Sequence, residues 1–232
     1  MLGFLRSTIL SKIVMTVSGA AIVGFLIAHL TGNLLIFGGP EKINAYGQGL
    51  RDLGLLLLFL RIGLVVTFVL HIVTSIYLAD KNRTARPVSY TKKKSIQSTI
   101  ASRTMFFSGL TILTFVVYHL LHFTYGIVQP EFYHGEYILH DGRTVPDIYS
   151  MMIHGFQNPF IVITYLLAVT FVCLHLSHAI GSAFQTLGIN HTKYNGIIKK
   201  AGMGLATILW LGYMSIPFGI MAGVLKLTNG GH

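Results

Sequence analysis

Five stretches of this chain are apolar for long enough to cross a lipid bilayer, and that constrains its fold more than any other feature. Hydrocarbon offers the backbone no hydrogen-bond partner, so a crossing segment of this length satisfies its own amides and carbonyls as a helix. The stretches fall at about 13–37, 53–79, 105–128, 159–185 and 202–225. The first spans about 37 Å at about 1.5 Å per residue, against a hydrocarbon core of about 30 Å. It is too long for the core of a signal peptide and ends without a small-residue cleavage motif, so it reads as a retained helix. Composition agrees: 53% of residues are hydrophobic and 10% charged, where soluble domains carry about 25% charged residues. No polar or Gly/Ser/Pro-rich stretch is long enough to link separate units. The sequence predicts an all-α integral membrane bundle of five transmembrane helices, one domain over 1–232.

The formal charge of +10 raises the question of nucleic acid, and the placement of the charges answers it. They lie between the apolar runs, where topology explains them. Residues 80–103 hold Lys81, Arg83, Arg86, Lys92, Lys93, Lys94 and Arg103 against Asp80, and 187–201 hold Lys193, Lys199 and Lys200. Residues 129–158 hold Glu131, Glu136, Asp141 and Asp147 against Arg143. By the positive-inside rule the N-terminus is cytoplasmic and the C-terminus outside. The segment 40–52 reads as a polar, turn-prone loop, and 129–158 as a folded cap. The single cysteine, Cys173, lies within an apolar run and reads as packing, with no disulfide framework. No internal repeat at a fixed period is read.

Within the apolar runs stand His29, His71, His119 with His122, and His175 with His178. An imidazole in hydrocarbon without a partner costs several kcal/mol, so each is a functional-site candidate. Counted along the helices from their cytoplasmic ends, His29 and His119 lie about 24 and 21 Å deep, and His71 and His175 about 12 and 15 Å. Two pairs at two depths suit two stacked bis-histidine metal centres. The count separates the levels but does not choose His119 over His122, or His175 over His178. Zinc, copper and iron are the candidate metals. Zinc sites gather three or four protein ligands, whereas two per level suit an iron whose other ligands come from a porphyrin. Gly19, Gly24, Gly32, Gly63, Gly109, Gly181 and Ser182 would leave room for a flat macrocycle, although small residues also serve plain helix packing. Thr16, Ser18, Thr67, Thr74, Ser75, Ser177 and Ser182 are candidate partners for the rings, with bonds back to their own helices as the bland alternative.

The segments KIVMTVSG leading to FLIAHLTGNL, then LHIVTSIYLADKN, SGLTILTFVVYHLLHF, HLSHAIGSAFQTLG and LGINHTKYN resemble the dihaem cytochrome b anchor of succinate dehydrogenases and fumarate reductases. The likeness runs over nearly the whole chain. It implies two b haems, with His29 and His119 on the outer iron and His71 and His175 on the inner one. His122 and His178 are left over, as packing residues or as contacts to a haem propionate or quinone.

The resemblance also implies a function: electron transfer between (mena)quinone and a flavoprotein with covalent FAD, through an iron–sulfur protein, in the cytoplasmic membrane of a prokaryote. The two soluble subunits would dock on the basic segments 80–103 and 187–201, and succinate chemistry would lie outside this chain. Quinone chemistry needs a proton-exchanging group, for which Asp52 comes first and Glu41 second. Competing readings are a dihaem cytochrome of a hydrogenase, formate dehydrogenase or nitrate reductase, and a metal or proton transporter with a histidine relay. The transporter would be expected to carry carboxylates beside the histidines, and 13–37 and 159–185 contain none.

Overall fold

The computed structural model describes residues 7–85, 105–189 and 191–227. Its long helices are α1 (Thr8–Asn33), extended by a 3-10 turn over Leu34–Gly38, α3 (Leu55–Thr84), α4 (Met105–His119), α6 (Pro159–Thr186) and α7 (Thr192–Met221). A π-helical turn over Leu120–Thr124 continues α4. These five are long and apolar enough to cross a membrane, so the chain is a multi-pass helical membrane protein. Short helices α2 (Pro40–Asp52) and α5 (Ile148–Gln157) and a hairpin of β1 (Glu136–Ile138) and β2 (Thr144–Pro146) sit together at one end. We refer to that as the cap end.

Local chemistry sets the helix boundaries. The Ser7 side chain accepts from the Leu10 amide at the start of α1, and Asn158 and Asp147 cap α6 and α5 in the same way. Gly39, at φ 87°, takes the left-handed turn that lets Pro40 open α2, a conformation that a side chain would strain.

Helix α1 packs on α3, α4 on α6, and α6 on α7. Neither α1 with α4 nor α3 with α6 is among the closely packed pairs. The bundle is thus two pairs that leave a gap between them, with α7 closing one side. On α3, Leu55, Phe59, Leu60, Ile62, Val65 and Val66 are more than half exposed, a face for hydrocarbon to cover. The best-packed core lies at the cap end, where Ile36, Ile43, Ile153, Phe156, Tyr165 and Ile216 meet.

Several boundaries differ from expectation. Segment 40–52 is a helix, not a loop: Ile43, Asn44 and Gly47 form one buried face, too short and too glycine-rich to stand out in sequence. A Cβ on Gly47 would collide with Ile148 Cδ1, so the glycine is what lets the cap close. Helix α7 begins ten residues earlier than predicted and takes Lys193, Lys199 and Lys200 into its first turns, so 192–201 is helix, not loop. Hydropathy registers only the apolar part of a helix. Likewise α3 runs on to Thr84, with Asp80 and Arg83 paired at 3.2 Å one turn apart. Helix α4 ends before 128 because the π turn redirects the chain. The expected cap over 129–158 is present as the hairpin and α5. Arg86, Lys92, Lys93, Lys94 and Arg103 lie outside the described residues.

Candidate metal centres

The histidines of opposite helix pairs meet across the gap. The rings of His29 on α1 and His119 on α4 have centroids 5.8 Å apart, and those of His71 on α3 and His175 on α6 are 6.5 Å apart. Two imidazoles each binding a common metal through one nitrogen at about 2 Å would put their centroids about 6 Å apart. Both pairs stand near that separation although their helices do not pack directly. All four rings are half-buried. A Cβ on Gly24 or Gly63 would meet nothing within 4 Å, and one on Gly19 or Gly109 would reach the His71 or His175 ring, at 3.2 and 3.9 Å.

The two levels are well separated. Ser18, beside His71, is eleven residues from His29; Ser108, beside His175, is eleven from His119; and Tyr165, beside His119, is ten from His175. At about 1.5 Å per residue all three give about 15–17 Å between levels. Eleven residues are also three helical turns, so each serine shares a face with the histidine of the other level.

Those serines reveal an internal repeat that the sequence reading missed. Met15, Ser18, Gly19, Ile22, Phe25, His29 and Leu30 recur in register as Met105, Ser108, Gly109, Ile112, Phe115, His119 and Leu120. The repeated residues do the same work. Ser18 Oγ donates to the Met15 carbonyl at 3.1 Å and meets His71 Nδ1 at 3.3 Å; Ser108 Oγ donates to the Met105 carbonyl at 3.0 Å and meets His175 Nδ1 at 3.0 Å. A hydroxyl whose proton is on its own helix accepts from the imidazole Nδ1–H, which leaves the lone pair on Nε2. Met15 O also accepts from His71 Nδ1, at 3.2 Å. Helices α1 and α4 thus play the same part in the two pairs, each presenting a serine to the histidine of the helix packed on it.

At the cap end the repeat diverges. His119 Nδ1 meets the Tyr165 hydroxyl at 3.2 Å, and the same hydroxyl meets His122 Nδ1 at 3.0 Å, while His122 Nε2 meets Gln129 Oε1 at 2.8 Å. Phe115 and Phe156 stand edge-on to the Tyr165 ring at 5.0 and 4.9 Å. On α1 the position of His122 is Gly32, whose missing Cβ makes room for Tyr46. His29 stacks on Phe25, and its Nε2 accepts from Asn33 Nδ2 at 3.2 Å. A metal bound through that nitrogen would displace one neutral hydrogen bond, worth about 1 kcal/mol.

The two histidines of each HxxH pair differ in their surroundings. His122 is buried, both its nitrogens are engaged, and it meets no histidine of α1. His178 has Lys199 of α7 as its electrostatic neighbour, and Ser182 lies one turn further along α6, half-buried. Among the described residues Thr67, Thr74, Ser75 and Ser177 bond only to carbonyls of their own helices, and of the hydroxyls considered Ser18 is the one that reaches a histidine there. Ser108, Tyr165, Gln129 and Asn33 were not singled out from sequence. The 90-residue repeat would have pointed to Ser108.

The two carboxylates lie apart from the rings. Glu41 accepts from the His140 amide at 3.2 Å and holds the hairpin, and Asp52 accepts from Gln48 at 2.7 Å and pairs with Arg143 at 3.5 Å. Both are at the cap end, as is the His29–His119 pair. Among the described residues no three His, Cys, Asp or Glu side chains converge as a metal cluster. Comparison of the chain with protein-family models, with curated proteins and with solved structures finds no match.

Proposed function

We propose that this chain is a dihaem cytochrome b, the membrane anchor and electron-transfer subunit of a succinate:quinone oxidoreductase or quinol:fumarate reductase. What carries the reading is the two-level pairing: His29 faces His119 and His71 faces His175, each across a gap between helices that do not pack directly. The donor set fits a porphyrin iron, which would be held by one imidazole nitrogen from each histidine of a pair, better than zinc, whose sites gather three or four protein ligands. When bound, haem supplies one-electron redox chemistry at each level, and its potential follows axial ligand, hydrogen bonding and burial.

The protein's own residues do the rest. Ser18, Met15 and Ser108 hold the Nδ1–H of His71 and His175, which orients each ring and raises its basicity. Tyr165 does the same for His119. The apolar spans keep water from the rings.

In this reading the basic end is cytoplasmic and receives the iron–sulfur and flavin subunits, and the cap end, outside, exchanges electrons with quinone, menaquinone being the expected one. Asp52, the last residue of α2, with its carboxylate half exposed, is the first candidate for quinone proton exchange and Glu41 the second.

The test is a pyridine haemochrome assay with reduced spectra on the purified chain from a haem-replete host. Two b haems per chain are expected. Haem-free protein sends the function to the histidine-relay alternative.

A further inference from the structure

The repeat gives both halves the same serine–histidine partnership, and one half has an addition. The hydrogen-bonding capacities along it fix the direction of every proton. Gln129 Oε1 only accepts, so His122 Nε2 is the donor to it. A neutral imidazole protonated at Nε2 has only an acceptor at Nδ1, so the Tyr165 hydroxyl donates there. The Tyr165 oxygen then has only lone pairs left, so His119 Nδ1–H donates to it. His119 is left with a lone pair on Nε2, on a ring whose centroid lies 5.8 Å from that of His29.

Three features build the line. Residues 119 and 122 are three apart on one helix and so share a face, and both rings meet Tyr165. The π turn, closed by the Tyr125 amide on the Leu120 carbonyl at 2.9 Å and the Ile127 amide on the Leu121 carbonyl at 2.8 Å, brings Gln129 back onto His122. Such turns are frequent at functional sites. Gly155 leaves space for the stack of His122 on Phe123, whose centroids are 3.9 Å apart; a Cβ there would press on Phe123 at 2.9 Å and on His122 Nε2 at 3.4 Å.

We propose that Tyr165, His122 and Gln129 are positioning residues that act through His119: they fix its tautomer and polarise its Nδ1–H, and so lower the potential of the cap-end haem independently of the other. This rests on the dihaem reading. At the far level the imidazole N–H groups end on serine hydroxyls tied to backbone carbonyls, or on a carbonyl itself. At the cap end the acceptor is a phenol whose own proton is drawn off by an imidazole. Hydrogen bonds in such a chain reinforce one another, which gives His119 more imidazolate character and favours ferric iron.

The experiment is a redox titration of the intact purified chain, with haem content measured on every sample and the cap-end component identified as the one retained in His175→Ala. Tyr165→Phe is expected to keep two haems and raise the cap-end potential while the other stays fixed. Gln129→Leu, which touches neither ligand, is expected to shift the same component the same way by less, and His122→Asn, which restores an acceptor to Tyr165, to shift it least. Ser108→Ala is expected to move only the other component. Two haems with both potentials unchanged in Gln129→Leu and Tyr165→Phe, or both moved equally, would overturn the proposal and leave the dihaem reading standing. A wild-type chain without haem overturns both. If Tyr165→Phe loses the cap-end haem, Gln129→Leu decides.

Discussion

The Ser108 hydroxyl meets Nδ1 of His175 at 3.0 Å across the contact of α4 with α6, and among the described residues it is the only hydrogen-bond partner of that ring. His71 has two, Ser18 and the Met15 carbonyl. Ser108→Ala therefore leaves its imidazole N–H without an acceptor, whereas Ser18→Ala leaves Met15 in place. We expect Ser108→Ala to raise the potential of the His71–His175 haem clearly and Ser18→Ala to raise it less, as read by redox titration. The reverse order would mean that Met15 is not a working acceptor.

The pairing predicts which losses coincide. His71→Ala, His175→Ala and the double variant should each retain one b haem, the same one by spectrum. His29→Ala combined with His175→Ala should retain none. If His29→Ala and His71→Ala removed the same component, the two-level assignment would fall.

Asn44 is fully buried, donates to Asp147 Oδ1 at 3.0 Å and accepts from the Tyr149 amide at 3.0 Å. Replacing it with alanine strands the buried Tyr149 amide, costing about 1–3 kcal/mol, and takes one of two donors from Asp147 Oδ1, which keeps the Ser150 amide. The cap should loosen with haem content unchanged, seen as faster hydrogen exchange in β2 and α5. Unchanged exchange would show that the network is dispensable.

Asp52→Asn should leave both haems and their spectra intact and slow quinone turnover, because an amide holds Gln48 but carries no exchangeable acid. Turnover equal to the wild type in a reconstituted complex would move the proton-exchange role to Glu41 or away from both.

The hairpin carries a pH dependence. Hydrogen bonds from the Arg143 guanidinium and amide hold the Asp141 carboxyl below its ordinary value. A carboxyl depressed in the folded state stabilises above its unfolded value, and that contribution disappears as pH falls through the folded one. Exchange of the hairpin amides should accelerate below about pH 4, and Asp141→Asn should remove that step.

Much of the site was legible as distance along helices. Helical rise makes depth a linear function of residue number, so His29 and His119, and His71 and His175, could be levelled before any packing was known, and the structure brings the same pairs together. The repeat was legible too, since Met15–Leu30 and Met105–Leu120 match without gaps. It escaped because two copies 90 residues apart show no running period, and the shared role of Ser18 and Ser108 is what exposes it. Helix α2 and the early start of α7 escaped because glycine, asparagine and lysine dilute the apolar signal where burial is local or one-sided.

What the sequence alone determined is the membrane class, the five spans and the two depths, because each follows from hydropathy and a fixed rise per residue. Only the tertiary structure decided which histidine of each HxxH pair faces a partner, and which nitrogen is engaged. It alone joined Tyr165 and Gln129 to His119 and tied Glu41 and Asp52 to the hairpin. Those outcomes depend on the rotation of each helix about its axis and on chain returning from the cap, neither of which is set by the spacing of residues along one helix.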